Sequence, residues 1–176
     1  MTEKSVLIKG IGAGLPQQRV SHDELSRTLD TSDEWIRSHT GIGFRHIAAE
    51  GQATSDLAVL AARQALERAG IAPEDLDLVI LATTSPDYFG CPATACLVQH
   101  KLGAVNAGAM DLVAACSGFI YGLTTAKDLM LTGMARRVLV VGAETLSRVT
   151  DWSDRNTCVL FGDGAGAAVL ELGDSP

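Results

Sequence analysis

Cys116 sits where a buried-strand pattern gives way to a helical one, in the stretch Asp111 to Leu123. "DLVAA" reads as the end of a strand and "CSGF" as a junction, and the residues beyond carry apolar side chains at helical spacing. A strand-to-helix turn projects its first helical residue from the end of a sheet. The N–H groups at a helix start lack partners within the helix. The partial positive charge there favours a thiolate. The same N–H groups can receive the oxyanion of a tetrahedral acyl intermediate, and Ser117 and Gly118 keep the approach small. Such a junction supports acyl transfer through sulfur, in the manner of a nucleophile elbow. A plainer reading competes with it. Unpaired cysteine is among the most buried residue types, and a small core residue fits the same apolar run. Local spacing leaves both open.

The other residues able to do chemistry form no further centre. Cys91, Cys96, Cys116 and Cys158 make no CxxC pair, and His22, His39, His46 and His100 do not flank them at zinc-finger spacing. No metal site is expected, and the thiols are expected to be free. "GDGAGA" (162–167) has the glycines of a phosphate loop but lacks its Lys-Ser/Thr and the strand-GxGxxG-helix context. Gly162, Gly164 and Gly166 therefore read as structural, serving a tight turn and close packing of layers.

The elements that must hold Cys116 can be read along the chain. "SVLIKGIGAGL" is a first strand with a glycine-bearing end. "SHDE" (Ser21–Glu24) fits a capping box, and "TSDE" (Thr31–Glu34) repeats it before Trp35. "GFRHIAA" is a short extended piece. Thr54 to Ala69 keeps helical spacing and ends at Gly70. "LDLVILATTS" and "RRVLVVGAE" are continuous apolar runs of doubly buried strands. Pro92 opens a helix that stops at Gly103, "NAGAMDLVAA" is a strand, and Cys116 to Thr132 is a helix closed by Gly133. "TCVLFGDGAGAAVLEL" reads as two strands joined at Gly-Asp-Gly, in an antiparallel pair. The alternation makes the protein α/β with a largely parallel core.

With 176 residues the chain has length for one domain with a real core. Apolar residues make up 47% and charged ones 20%. The net charge of −7, dispersed along the chain, argues against nucleic acid as a partner. No apolar run reaches membrane-spanning length and no apolar leader opens the sequence. The expectation is a soluble cytoplasmic protein without a membrane partner.

Seven motifs, in order, widen the reading: "DTSDEWI" (Asp30–Ile36), "TGI" (Thr40–Ile42), "RHIAA" (Arg45–Ala49), "LATTSP" (Leu81–Pro86), "ACLVQ" (Ala95–Gln99), "AACSGF" (Ala114–Phe119) and "FGDGAGAAVL" (Phe161–Leu170). Together they resemble β-ketoacyl-acyl-carrier-protein synthase III, the initiating condensing enzyme of bacterial fatty-acid synthesis, in the thiolase-like superfamily. The resemblance implies a thiolase-like fold, with residues 1–176 as the first βαβαβαββ half of a five-layer αβαβα architecture. It implies that Cys116 takes the acyl group from acyl-CoA, a substrate rather than a cofactor, and condenses it with malonyl-acyl-carrier protein. By the same resemblance Trp35 and Arg155 sandwich the adenine of coenzyme A, Thr31 hydrogen-bonds the base, and Leu146, Phe161 and Cys91 belong to the acyl pocket. On pattern alone Trp35 is a core anchor, Arg155 a surface ion pair with Asp151 or Asp154, and Leu146 and Phe161 core residues.

Two departures stand out. Where the family commonly carries a phosphate-binding arginine before "TGI" this chain has His39, with Arg37 two residues earlier as a possible substitute. "SPDYFGCP" has a different tip from the phenylalanine-proline of many relatives, so Phe89 or Cys91 falls where a residue reaches the partner subunit's pocket. The family is also about twice as long. Its catalytic histidine and asparagine belong to the second half, so the 176 residues alone are expected to be inactive. A homodimer is expected, paired through the strand at 107–114. The alternatives are a non-catalytic half-domain that binds acyl groups or a partner, and a related thiolase-superfamily acyltransferase.

Overall fold

Glycine sets the first contact between layers. In the computed structural model, which describes residues 4–174, strand β1 (Lys4–Gly14) carries Gly10, Gly12 and Gly14 at every second position. Alternate residues of a strand share a face, and this glycine face lies directly on helix α3 (Thr54–Ala69). A Cβ on Gly12 would stand 2.1 Å from the Ala61 carbonyl oxygen, and one on Gly10 2.2 Å from that of Ala65. Backbone meets backbone, and the glycines lie in the carboxyl-terminal half of the strand, as the glycine-bearing end expected from the sequence.

A central five-stranded sheet follows, in the order β1-β7-β6-β4-β5. Its other members are β4 (Leu78–Ala82), β5 (Gly108–Leu112), β6 (Arg137–Thr145) and β7 (Asp163–Asp174). Strand β4 pairs in parallel with β5 and β6, whereas β7 is antiparallel to both β6 and β1. Four strands therefore share one direction and β7 alone opposes it. Helices α3 and α4 (Thr94–Leu102) cover one face, and α5 (Gly118–Leu131) covers part of the other. The doubly buried strands show their alternation in this: Val79, Leu81, Leu139 and Val141 point to α3 and α4, and Ile80, Val138 and Val140 to α5. The series β1-α3-β4-α4-β5-α5-β6-β7 has the βαβαβαββ order expected from the motifs.

Between β1 and α3 the chain forms a separate lobe. A two-stranded pair, β2 (Gln18–Ser21) and β3 (Phe44–Ile47), encloses the short helices α1 (His22–Leu25) and α2 (Asp33–Thr40). The capping box at Ser21 and Glu24 forms as expected. At α2 the cap is Ser32, whose hydroxyl accepts from the Trp35 N–H at 3.1 Å, and not Thr31. This lobe packs Leu25, Leu29 and Ile36 against Cys158 and Val159, beside the one-turn helix α6 (Arg155–Cys158).

Three expectations need correction. Residues 157–172 do not form two strands, because 155–158 is helical and Gly162 and Gly164 flank the start of a single strand, β7. Gly162 is held close to β3, where its Cβ would meet the Cβ of Arg45 and the carbonyl of His46, each at 3.1 Å. Gly162 and Gly164, whose Cβ atoms would each meet a neighbour at 3.1 Å, thus serve close approach and not a turn. Strand β5 stops at Leu112, short of 114. Helix α4 begins at Thr94, two residues after Pro92. No helix among the described residues is long and apolar enough to cross a membrane.

Candidate active site at the carboxyl end of the sheet

The sheet brings the ends of β4, β5 and β6 and the start of β7 to one edge, with Thr145 paired to Asp163. In open α/β sheets this is the edge where ligands bind. Cys116 lies here, exposed, in a 3₁₀ turn (Ala115–Ser117) that leads into α5 at Gly118. It precedes the helix by two residues instead of opening it. The reason is the sharpness of the turn: Ala115 takes φ 45°, a left-handed conformation costly for a residue with a Cβ. Ser117 makes no side-chain bond to the helix start. Close packing then sets the helix on the sheet. A Cβ on Gly118 would meet that of Ala82 at 2.9 Å, and one on Gly122 would meet Val140 at 2.9 Å. Any larger residue at either position would lift α5 and the thiol with it.

The thiol opens onto a cleft of about 410 Å³ walled by Phe119, Leu146, Phe161, Ala82 and Thr84, with Glu144 at its side. Leu146 and Phe161 are wall residues here rather than core, Phe161 being 37% exposed. Cys91 is not among the lining residues. It lies at the exposed tip of the loop 83–93, two residues from Phe89, which is 96% exposed. Cys158, by contrast, is fully buried, and burial pushes its thiol up from the ordinary range although the Arg45 guanidinium partly opposes this. Of the four thiols, only Cys116 lines the cleft.

Polar side chains that sequence reading missed hold the rim. The Glu144 carboxylate accepts from the Thr84 N–H at 2.8 Å, the Thr84 hydroxyl at 3.0 Å, the Thr83 hydroxyl at 3.3 Å and the Ser85 hydroxyl. Asp111 accepts from the Thr94 and Ala95 N–H groups, both at 2.7 Å, and so caps α4 from the neighbouring strand. Asp163 accepts from the N–H groups of Ala48 at 2.7 Å and Ser147 at 2.8 Å, and from the Ser147 hydroxyl at 2.5 Å. Arg45, buried, donates from Nη1 to the carbonyls of Cys158 at 2.9 Å and Phe161 at 3.1 Å. Burial holds its pKa below the usual arginine value. Their signal in the sequence was faint: acidic residues at strand ends, and one arginine inside "RHIAA".

Trp35, Arg155 and His39 come together as a second constellation on α2. The Arg155 Cζ is 5.2 Å from the indole centroid, and the guanidinium donates to the Asp30 carbonyl at 2.5 Å and to its carboxylate at 3.3 Å. Its partner is therefore Asp30, not Asp151 or Asp154. The His39 ring stacks on Trp35 with centroids 4.3 Å apart. Arg37 is committed elsewhere, with Nε 2.7 and 2.9 Å from the Asp33 carboxylate oxygens. That bond is the main cause holding the Asp33 carboxyl below the usual range. The Thr31 hydroxyl is buried without a hydrogen-bond partner among the described residues.

The family model for 3-oxoacyl-[acyl-carrier-protein (ACP)] synthase III matches residues 110–176. Beta-ketoacyl-[acyl-carrier-protein] synthase III of Neisseria meningitidis (strain Z2491) is 56% identical over 170 residues, which cover 96% of this chain and 53% of that protein. The protein of the same name from Xylella fastidiosa (strain 9a5c) is 57% identical over 164 residues, covering 93% and 50%. Among solved structures, 3-oxoacyl-[acyl-carrier-protein] synthase III from Aquifex aeolicus VF5 superposes with TM-score 0.94 at 48% identity, over 97% of this chain and 55% of that one. The priming β-ketosynthase of the R1128 polyketide pathway gives 0.93 at 40% identity, over 100% and 53%. The chain spans about half the length of the curated relatives it matches. In sequence and in thiolase-like fold the chain is thus similar to β-ketoacyl-[acyl-carrier-protein] synthase III over the half of those proteins that it spans.

Proposed function

We propose that, in the full-length protein, Cys116 takes an acyl group from acyl-CoA and that this group is then condensed with malonyl-acyl-carrier protein to initiate fatty-acid synthesis. The observation that carries the reading is the exposed Cys116 thiol on a left-handed turn, opening onto an apolar-walled cleft. Thiolate attack on the thioester carbonyl forms the Cys116–acyl bond and breaks the bond to the coenzyme sulfur, which leaves as the thiol once protonated. In the second step the malonyl group loses CO₂. The resulting carbanion attacks the acyl carbonyl, and the Cys116 thiolate leaves. Donors for the enolate oxygen, a histidine and an asparagine by family resemblance, are expected from the rest of the longer protein.

On this reading Phe119, Leu146 and Phe161 receive the acyl chain, and Trp35 and Arg155 take the adenine. A base between them needs about 7 Å from ring to guanidinium, two stacking distances, so Arg155 must withdraw by about 2 Å from its present 5.2 Å. The Thr31 hydroxyl must turn outward to meet the base. A homodimer is supported by β5, which ends the sheet order and offers an open edge, and by the exposed Phe89 beside it. The proposed setting is the cytoplasm, with acyl-CoA as substrate rather than resident cofactor.

Intact-mass measurement after incubation of the full-length protein with a short acyl-CoA tests the reading. One acyl adduct is expected in wild type, Cys91→Ser and Cys158→Ser, and none in Cys116→Ser. An adduct that survives Cys116→Ser and disappears in either of the others assigns the chemistry to a different thiol.

A further inference from the structure

Helix α2 presents two differently occupied sides. Asp33 and Arg37 pair one turn apart on one of them. Trp35 and His39, also one turn apart, stand about 200° round from that pair, at about 100° per residue. The imidazole plane lies within 22° of the indole plane, with centroids 4.3 Å apart. The His39 Nδ1 is 2.8 Å from the Trp35 carbonyl oxygen. A carbonyl only accepts, so Nδ1 carries the proton. The Ser38 hydroxyl, 3.1 Å from the same nitrogen, donates to the same carbonyl at 3.0 Å. The ring is thus held twice, by its face on the indole and by its edge on the main chain. Arg155 reaches the indole from the other end of the helix, since its anchor, Asp30, precedes the first turn.

We propose that His39 is a positioning residue: it forms the slab behind Trp35 that fixes the indole plane for stacking on a purine base, and it acts through its ring face rather than its charge. The inference rests on the reading that Trp35 receives the base of a coenzyme A thioester. Trp35 is half-buried against the core of the lobe, and whatever torsional freedom that packing leaves is lost when a base stacks on the indole, which weakens binding. With His39 already stacked, the torsions are set before the ligand arrives. The remaining approach to the indole is the one Arg155 now occupies, so the ligand replaces a movable guanidinium and not the slab. A cation meant for phosphate would need no parallel ring and no bond to the Trp35 carbonyl.

The experiment separates plane from charge. Equilibrium binding of coenzyme A to the full-length protein is measured for wild type, Trp35→Ala, His39→Ala, His39→Phe and His39→Lys, and repeated with coenzyme A lacking its 3′-phosphate. An aromatic stack is worth a factor of about three to ten. His39→Ala and His39→Lys are expected to lose that factor, His39→Phe to stay within about twofold of wild type, and the loss to be equal for the two ligands. In a background where Trp152 and any tryptophan outside these 176 residues are replaced by phenylalanine, the emission of Trp35 reports on the slab without ligand. It should shift in His39→Ala and His39→Lys and be restored in His39→Phe. Rescue by lysine but not phenylalanine, or a loss that vanishes without the 3′-phosphate, overturns the proposal and makes His39 a phosphate cation. If Trp35→Ala binds as well as wild type, the base-stacking reading itself fails, and this inference with it.

Discussion

Asp163 offers the sharpest test of how the cleft is held. Its side chain is 6% exposed, and its two oxygens serve three donors from two other segments: the Ala48 N–H at 2.7 Å, the Ser147 N–H at 2.8 Å and the Ser147 hydroxyl at 2.5 Å. Ala48 follows β3, and Ser147 follows Leu146 in the cleft wall. One carboxylate thus ties the lobe, the wall and the start of β7 together. Asp163→Ala leaves two main-chain donors facing a void. A hydrogen bond to a charged group contributes about 1.5–3 kcal/mol, so two lost partners cost roughly 3–6 kcal/mol. The Ser147 hydroxyl can rotate to another acceptor and adds little.

Asp163→Asn keeps one acceptor but sets an amide N–H against one of the main-chain donors, and is expected to cost about half to two thirds as much. Ser147→Ala removes only the hydroxyl bond, about 0.5–1.5 kcal/mol. Urea midpoints for the three variants should follow that order. The acyl transfer rate to Cys116 should fall with them, because Leu146 moves with Ser147. An Asp163→Ala variant within about 1 kcal/mol of wild type would refute the reasoning, since it would show that the donors find water as easily as they find the carboxylate.

Two further outcomes follow from packing and charge. Gly12→Ala places a Cβ 2.1 Å from the Ala61 oxygen and 2.7 Å from the Ala65 nitrogen, main-chain atoms that cannot yield without lifting α3. It should cost at least the upper end of the overpacking range, about 3 kcal/mol. Gly166→Ala, whose Cβ would meet nothing nearer than the Gly12 oxygen at 4.0 Å, should stay within about 1 kcal/mol of wild type in the same urea titration. The hydrogen bond from Arg137, first among several causes, holds the Glu171 carboxyl below its ordinary value. A lowered carboxyl pKa stabilises fully above the unfolded value, near 4.3, and the contribution is lost as pH falls through the folded value. The stability gap between wild type and Glu171→Gln should therefore be open at pH 7 and narrow as pH falls below about 5 and through the lowered folded value. A gap unchanged across that range would mean that the ion pair contributes nothing through its charge.

Much of the fold was legible because its signals are local and agree with one another. The run "VLVV" in β6 alternates between two cores, so it is apolar at every position and could be read without knowing its neighbours. Gly70 ends α3 in a left-handed conformation, as a terminal glycine should. The failures arose where a distant partner decided. Gly162-Asp163-Gly164 has the composition of a turn, yet β7 is held straight by pairing with β6 on one side and β1 on the other. Thr31 fits the capping box in sequence, with Glu34 three residues on, yet the fold buries the Thr31 hydroxyl and leaves Ser32 to cap the helix. Strand β2 is short and mostly exposed, and only its pairing with β3 defines it. At the site, the position of Cys116 was legible to within two residues. That Arg155 turns to Asp30 was not, because the two lie 125 residues apart.

The same logic explains the acidic residues gathered around Cys116. Asp111, Glu144 and Asp163 all stand at the sheet edge that carries the thiol, in a chain of net charge −7. An unsatisfied carboxylate beside a cleft opposes any anion that forms there, and a thiolate is such an anion. Yet each of the three has its oxygens turned to main-chain N–H groups and hydroxyls: Glu144 to residues 83–85, Asp111 to the start of α4, Asp163 to Ala48 and Ser147. The donors quench the charge locally, and in return the carboxylates fix the loops that leave each strand. Those loops form the cleft or flank it. Negative charge here is therefore a means of holding main chain in place at the one edge where no sheet neighbour can do so, while the faces that meet the acyl chain, Phe119, Leu146 and Phe161, remain apolar. Replacing Glu144 by a residue of equal size without acceptors would expose the Thr84 N–H and free residues 83–85 to move into the cleft. The acid residues at this sheet edge thus shape the surroundings of the thiol through the bonds they accept.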